Sequence, residues 1–267
     1  MPFAHADHAV IEWNLKRVSP STAALIAEEP LAIRVEGKPY SVIMRTPGDE
    51  LAHAAGFCLA EGLVDLPEDI AALGLCDDGG TNVVTVTLSA ARRSRIGEHL
   101  GRRGYISQTS CGICGKEIVN DLYQQIRPIE IALSVDARKA WEQLENMAAH
   151  QPLRQKTRAA HAALIFDARL GLLAAAEDVG RHNALDKAVG RLFLDRCLEK
   201  AALLVLSSRI SYELVQKAAR ARIAIILALS RPTTLAVNLA AKLHITLGTH
   251  LKGGGLTVYT FPERLAI

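Results

Sequence analysis

Net charge is scarce in this 267-residue chain: 31 Lys and Arg against 28 Asp and Glu leave a formal +3. So small an excess argues against duplex nucleic acid as a partner, which calls for a concentrated basic face. Any anionic ligand must be held by local arginines and lysines. Long apolar runs are lacking too. The longest, such as 223–229, are strand-sized and well short of the ~20 residues that span a bilayer, so no membrane insertion is expected. The opening residues Met1-Pro2-Phe3-Ala4-His5-Ala6-Asp7-His8 do not follow the basic-then-apolar order of a signal peptide. Cysteine is sparse as well. Five cysteines, an odd number scattered along the chain, suit a reduced intracellular protein and not a disulfide scaffold, so a cytoplasmic location is expected. Apolar residues are what the chain does have: at 49% they supply a substantial core for one large domain or two ordinary ones.

Read in order, residues 1–20 are polar and irregular and suggest a loosely held arm. Residues 31–35 and 40–44, strand-formers around the turn Glu36-Gly37-Lys38-Pro39, predict a hairpin. From Glu50 to Glu61, Leu51, Ala54, Ala55, Cys58 and Leu59 form one helical stripe that Gly62 ends. Valines alternating with threonines over 82–88 predict a strand. These elements make a small α+β unit, assigned to 1–107. The remainder, 108–267, begins with a cysteine loop. Asp136 is placed to cap a helix carrying Ala140, Trp141, Leu144 and Met147. A hairpin over 162–166 and 171–176 follows, then a helix for which Asn183 and Asp186 form a workable capping pair. After it, apolar strands at 201–206, 223–229 and 256–260 alternate with helices at 211–222 and 233–243. That rhythm indicates parallel strands covered on both faces, a three-layer α/β domain.

Three turns in that domain are unusually polar at a helix start, where free N–H groups and the helix dipole favour an anion. They are Ser207-Ser208-Arg209-Ile210-Ser211, Ser230-Arg231-Pro232-Thr233-Thr234 and Glu177-Asp178-Val179-Gly180-Arg181-His182-Asn183. A glycine run beside a cation, Lys252-Gly253-Gly254-Gly255, is a fourth element of the kind that lets backbone approach a phosphate. Each has a plainer reading, since serine and threonine are ordinary caps and glycine triplets are ordinary loops. His161 alone reads as a core or edge histidine, and Cys58 and Cys197 as packing residues. The most distinctive stretch is Thr109-Ser110-Cys111-Gly112-Ile113-Cys114-Gly115-Lys116. The C-x-x-C spacing and the nearby Lys116 ammonium both favour a reactive thiolate. The spacing is compatible with metal binding, a disulfide or sulfur carriage.

The run Glu177-Asp178-Val179-Gly180-Arg181-His182-Asn183-Ala184-Leu185-Asp186-Lys187 resembles the signature of the formate dehydrogenase accessory sulfurtransferase family, FdhD. Ser110 through Lys116 resembles that family's cysteine loop. Arg45-Thr46-Pro47-Gly48, Gly56 through Gly62, Ser211 through Ala219 and Pro232 through Val237 extend the likeness over roughly residues 28 to 260. The resemblance implies a cytidine-deaminase-like fold and a homodimer. It also implies a sulfurtransferase that takes persulfide sulfur from a cysteine desulfurase and delivers it to a molybdenum or tungsten bis-pterin guanine dinucleotide cofactor, activating formate dehydrogenase. The persulfide carrier then maps to Cys111, with Cys114 as its partner thiol. The cofactor-binding stretch maps to His250, Leu251, Lys252, Gly253, Gly254 and Gly255. The anion-suited turns, with Arg181, His182, Ser208, Arg209, Ser211 and Thr233, suit the cofactor's pyrophosphate.

Other chemistries fit less well. A thiol-disulfide oxidoreductase needs C-x-x-C at a helix start after a strand, and a convincing preceding strand is missing. A zinc deaminase needs an H-x-E with P-C-x-x-C pattern, which is absent, so no structural metal is expected. A cofactor-binding chaperone that moves no sulfur would carry the same arginine and glycine turns.

Overall fold

The computed structural model describes residues 4–76, 82–102 and 126–266. Its elements run β1 (His5–Asn14), β2 (Arg17–Ile26), β3 (Glu29–Val35), β4 (Lys38–Arg45), α1 (Glu50–Ala60), β5 (Ile70–Leu75), β6 (Val83–Leu88), α2 (Ala90–Arg102), β7 (Val135–Asp136) and α3 (Ala137–Glu145). They continue as α4 (Pro152–Thr157), β8 (His161–Phe166), β9 (Leu172–Asp178), α5 (Arg181–Leu194), β10 (Leu203–Leu206), α6 (Tyr212–Arg220), β11 (Ile225–Ala228), α7 (Thr234–Lys242), β12 (Thr246–His250), β13 (Leu256–Thr260) and β14 (Leu265–Ala266). The expected boundary at 107/108 lies outside the described residues, as do Cys111 and Cys114.

The central sheet is mixed, with strand order β13-β12-β11-β10-β8-β9. The strands β10, β11 and β12 are parallel, and β8, β9 and β13 run against their neighbours. Every residue of β10 and β11 is buried, the pattern of strands covered on both faces. A second sheet has order β4-β3-β6-β5. Buried side chains from Leu31 in β3 to Leu265 in β14 form one continuous core. Asp136 caps α3 as its position suggests, its Oδ1 accepting from Lys139 N at 2.9 Å.

Two helices meet unusually closely. A Cβ on Gly190 of α5 would stand 1.7 Å from the Ala52 carbonyl oxygen of α1, and one on Gly56 would stand 2.0 Å from the Asp186 oxygen. Only glycine at both positions lets these backbones touch. This contact ties α1, which follows the β3–β4 hairpin, to α5, which lies against β8 and β9.

Three expectations need correction. Residues 1–20 are not a loose arm: β1 and β2 pair antiparallel from His5–Ile26 to Asn14–Arg17. The domain ends on two strands and not one, because Thr246–His250 adds β12 beside β11. Asn183 and Asp186 do not cap α5. Its N-cap is Gly180, with no side-chain cap bond, and both residues are buried against distant partners.

Candidate functional site at the carboxyl edge of the sheet

Strand direction gathers the polar turns on one edge. Leu206 ends β10 opposite Ala228 of β11, and Ala228 lies opposite Thr249 of β12, so the turns after all three parallel strands leave from the same side. The antiparallel strands bring the matching ends. His161 opens β8 opposite Asp178 at the close of β9, and His250 faces Leu256 across β12 and β13. Ser207 fastens its turn to β8, its hydroxyl accepting from Ala162 N at 2.8 Å. The 207–211 and 230–234 turns are joined by a bridge between Ile210 and Pro232 and by Thr233 N–H donating to Ile210 O at 3.0 Å. Thus the four anion-suited segments share one rim, beyond the carboxyl ends of parallel strands, where open α/β sheets hold ligands.

Individual residues divide into those that present and those that brace. Arg209, Arg231 and Lys252 are exposed on the rim. Gly253, Gly254 and Gly255 take φ of +100°, +107° and +98°, which restricts these positions to glycine. Their missing Cβ atoms would meet nothing within 4 Å, so the backbone there is open to a visitor. Ser208 is buried, and its hydroxyl donates to Arg209 O at 3.1 Å. Thr233 is the N-cap of α7, accepting from Ala236 N at 3.2 Å. These two shape the turns. His250 is paired with Glu145 at the end of α3, 2.6 Å away, which places a carboxylate beside the expected phosphate loop. Leu251 is largely exposed and its N–H donates to Gly255 O at 3.0 Å, closing the turn.

At the start of α5, the His182 ring lies 3.3 Å from Ser211 Oγ and 3.5 Å from Glu213 Oε2. The His182 hydrogen bond, with help from Ser211, holds the Glu213 carboxyl down at about 2. Nearby His161 has its pKa lowered, first by burial and then by the Arg181, Arg154 and His182 charges. Its Nδ1 and the Nε of Arg181 are buried without a hydrogen-bond partner. A cation-rich corner with an unspent guanidinium Nε–H can accept an anion. His161 and Arg154 were not among the expected ligands. The signal was available, because an antiparallel hairpin must return the start of β8 to the edge where β9 ends.

The rest of the signature run is a buried knot. Asp178 Oδ2 is 2.7 Å from Lys187 Nζ and accepts from Thr46 N at 3.0 Å, while its Oδ1 accepts from Gly180 N at 2.8 Å and Asn183 Nδ2 at 2.9 Å. Lys187 also donates to Thr46 O at 2.7 Å, and Asn183 to Met44 O at 2.8 Å. Asp186 pairs with Lys217 at 2.7 Å, its carboxyl pushed up by burial against the pull of that ammonium. Beside them His53 is fully buried with both ring nitrogens lacking hydrogen-bond partners, and burial followed by the Lys187, Lys217 and Arg45 charges keeps it neutral. The knot fixes the Arg45-Thr46-Pro47 turn to α5 and so aims Arg181 and His182 at the rim. Cys58 is buried and its thiol is pushed far up by burial, then by Glu61 and Asp186, so it is inert as a nucleophile.

Among the described residues, no helix is long and apolar enough to cross a membrane. The FdhD/NarQ family model matches residues 26–266. The chain is 39% identical over 260 residues to a Streptomyces coelicolor protein named "Sulfur carrier protein FdhD", covering 94% of this chain and 92% of that one. It is 37% identical over 258 residues to an Anaeromyxobacter dehalogenans protein of the same name, covering 91% and 89%. Its fold is similar to the crystal structure of a putative formate dehydrogenase accessory protein from Desulfotalea psychrophila, with TM-score 0.78 at 22% identity over 98% of this chain and 100% of the other. A family match over residues 26–266, with relatives 37–39% identical over more than nine-tenths of the chain, makes this chain a member of the FdhD/NarQ family.

Proposed function

We propose that this chain is a sulfur carrier for formate dehydrogenase maturation, loading sulfur on Cys111 and delivering it to a guanine dinucleotide form of a molybdenum or tungsten bis-pterin cofactor held at the sheet edge. The thiolate of Cys111 attacks the outer sulfur of a persulfide on a cysteine desulfurase; the donor cysteine leaves as thiolate, and a protein persulfide forms without net oxidation. Cys114 serves as the neighbouring thiol. The cofactor is cargo, and its destination is the catalytic subunit of formate dehydrogenase. The chain acts in the cytoplasm as a homodimer, and we read its central sheet with flanking helices as a cytidine-deaminase-like core.

One observation carries this reading: the convergence of the 207–211, 230–234, 180–183 and 251–255 turns on one rim. Arg209, Arg231 and Lys252 are exposed there, with Arg181 at the cation-rich corner. A pyrophosphate needs several cationic donors and close backbone approach, and this rim offers both. Guanosine diphosphate titrated into the protein tests it. Binding should weaken about tenfold or more in Arg209→Gln with Arg231→Gln and fall as salt rises. Unchanged affinity in that double variant refutes the assignment.

A further inference from the structure

The rim changes character from one end to the other. Its segments follow the order of the strands, β12, β11, β10 and then β8, three spacings or roughly 14 Å in all. At the β8 end stands Arg181 with its unspent Nε–H, and the β10 turn next to it carries the exposed Arg209. The β12 end is different. Leu251 is 46% exposed, and Leu229 and Leu235, on either side of the β11 turn, are 43% exposed each. Three leucines left in water along one stretch of edge mark a seat for something apolar. Beside Leu251, Glu145 meets His250 through Oε1 at 2.6 Å, and its side chain is still 43% exposed, so the carboxylate is within a ligand's reach. A carboxylate repels a phosphate, which makes this end a poor place for one. The glycine turn there, open along Gly253, Gly254 and Gly255, offers its backbone to a planar ring instead.

We propose that the β12 end seats the guanine base, with Glu145 accepting from its N1–H and N2 amino group and Lys252 donating to O6, while the phosphates run over the β11 and β10 turns toward Arg181. This rests on the reading of the rim as a guanine nucleotide site, and it gives that site a direction and a base-selecting residue. Guanine presents donors at N1 and N2 beside the O6 acceptor, whereas adenine presents an acceptor at N1 beside a donor at N6. A carboxylate only accepts and an ammonium only donates, so Glu145 and Lys252 match guanine and mismatch adenine at both positions. His250 orients the carboxylate. Glu213, toward the other end, is also paired with a histidine, but His182 and Ser211 both hold it and its neighbours are cations and not exposed leucines.

Calorimetric titration of the full chain with nucleoside diphosphates tests the assignment. Wild type should bind guanosine diphosphate at least about tenfold more tightly than adenosine diphosphate, with inosine diphosphate, which lacks the N2 amino group, in between. Glu145→Gln should weaken guanosine diphosphate about tenfold and strengthen xanthosine diphosphate, whose C2 oxygen accepts from the new amide, so that the preference reverses. His250→Gln keeps the carboxylate and should weaken guanosine diphosphate severalfold without that reversal. Equal affinity for guanosine and adenosine diphosphates, or a Glu145→Gln chain that still prefers guanine, would overturn the proposal while leaving the rim a phosphate site. The pterin rings of the same cofactor carry the same amino-oxo edge. A small pterin that displaced guanosine diphosphate at equal concentration would assign the seat to them and overturn it too. No binding of guanosine diphosphate by wild type would overturn the nucleotide reading and this proposal together.

Discussion

Replacing Lys187 by methionine tests whether the signature run is a structural knot. The ammonium is 2% exposed and holds Asp178 Oδ2 and Thr46 O, both at 2.7 Å. Methionine keeps most of the buried stem and removes the charge. Removing one partner of a buried ion pair costs about 3–5 kcal/mol. Asp178 retains three donors, from Thr46 N, Gly180 N and Asn183 Nδ2, so the loss should fall near the lower end, about 3 kcal/mol. Asp178→Leu is the harsher change. It leaves Lys187 with Thr46 O, deprives Thr46 N and Gly180 N of their acceptor and leaves Asn183 Nδ2 with Met44 O alone, so about 5 kcal/mol is expected. The double variant should cost less than the sum, because the second change removes a group the first has already stranded. Urea unfolding of the three variants measures this. Against a typical total of about 5–15 kcal/mol, a loss of 3 is large. A cost under about 1 kcal/mol for Lys187→Met, or the reverse order of the single variants, would refute the reasoning.

Gly190→Ala gains roughly 1 kcal/mol of helix propensity, but the new Cβ would sit 1.7 Å from the Ala52 oxygen and 2.7 Å from Gly56 N. Both neighbours are backbone, so the helices must part, and a net loss of about 2 kcal/mol or more is expected, visible as a fall of several degrees in thermal midpoint; a neutral or stabilised variant would contradict the close contact. His53 predicts acid sensitivity. Its folded pKa is depressed by burial and by cationic neighbours, so below the unfolded value of about 6.5 the unfolded chain binds the extra proton first and stability falls as pH falls. Asp186, with its carboxyl raised, acts in the opposite direction and does not steepen this limb. His53→Gln should flatten the loss of stability below about pH 6.5 in urea midpoints, and an unchanged slope would show that other groups govern it.

Much of the central sheet was legible because β10 and β11 are apolar runs buried at every residue. β12 was not, since Thr246-Leu247-Gly248-Thr249-His250 lacks such a run. Its threonines are buried all the same, with the Thr246 hydroxyl donating to Phe261 O at 2.8 Å, and a Cβ on Gly248 would stand 2.7 Å from the Leu227 side chain, which would have to shift. The N-terminal hairpin escaped notice although Ile11, Trp13 and Leu15 alternate with Glu12 and Asn14, because the turn at Leu15-Lys16 carries no glycine or proline to mark it. The rim was readable as chemistry, in Arg209, Arg231 and the glycine run, because turns after parallel strands must share an edge. The braces were not. Asn183 looks like a cap from its neighbours, yet its partner Met44 O is 139 residues away, and no local pattern encodes such a pairing.

The central claim is that Cys111 carries the sulfur, and intact-mass spectrometry after incubation with a cysteine desulfurase and cysteine tests it most directly. The wild-type chain should gain about 32 Da, one sulfur atom, mapped by peptide analysis to Cys111. Cys58→Ala should load as well as wild type, since that thiol is buried with its pKa raised, and Cys111→Ala should not load. An adduct of the same size persisting in Cys111→Ala, or none in the wild type, would contradict the account.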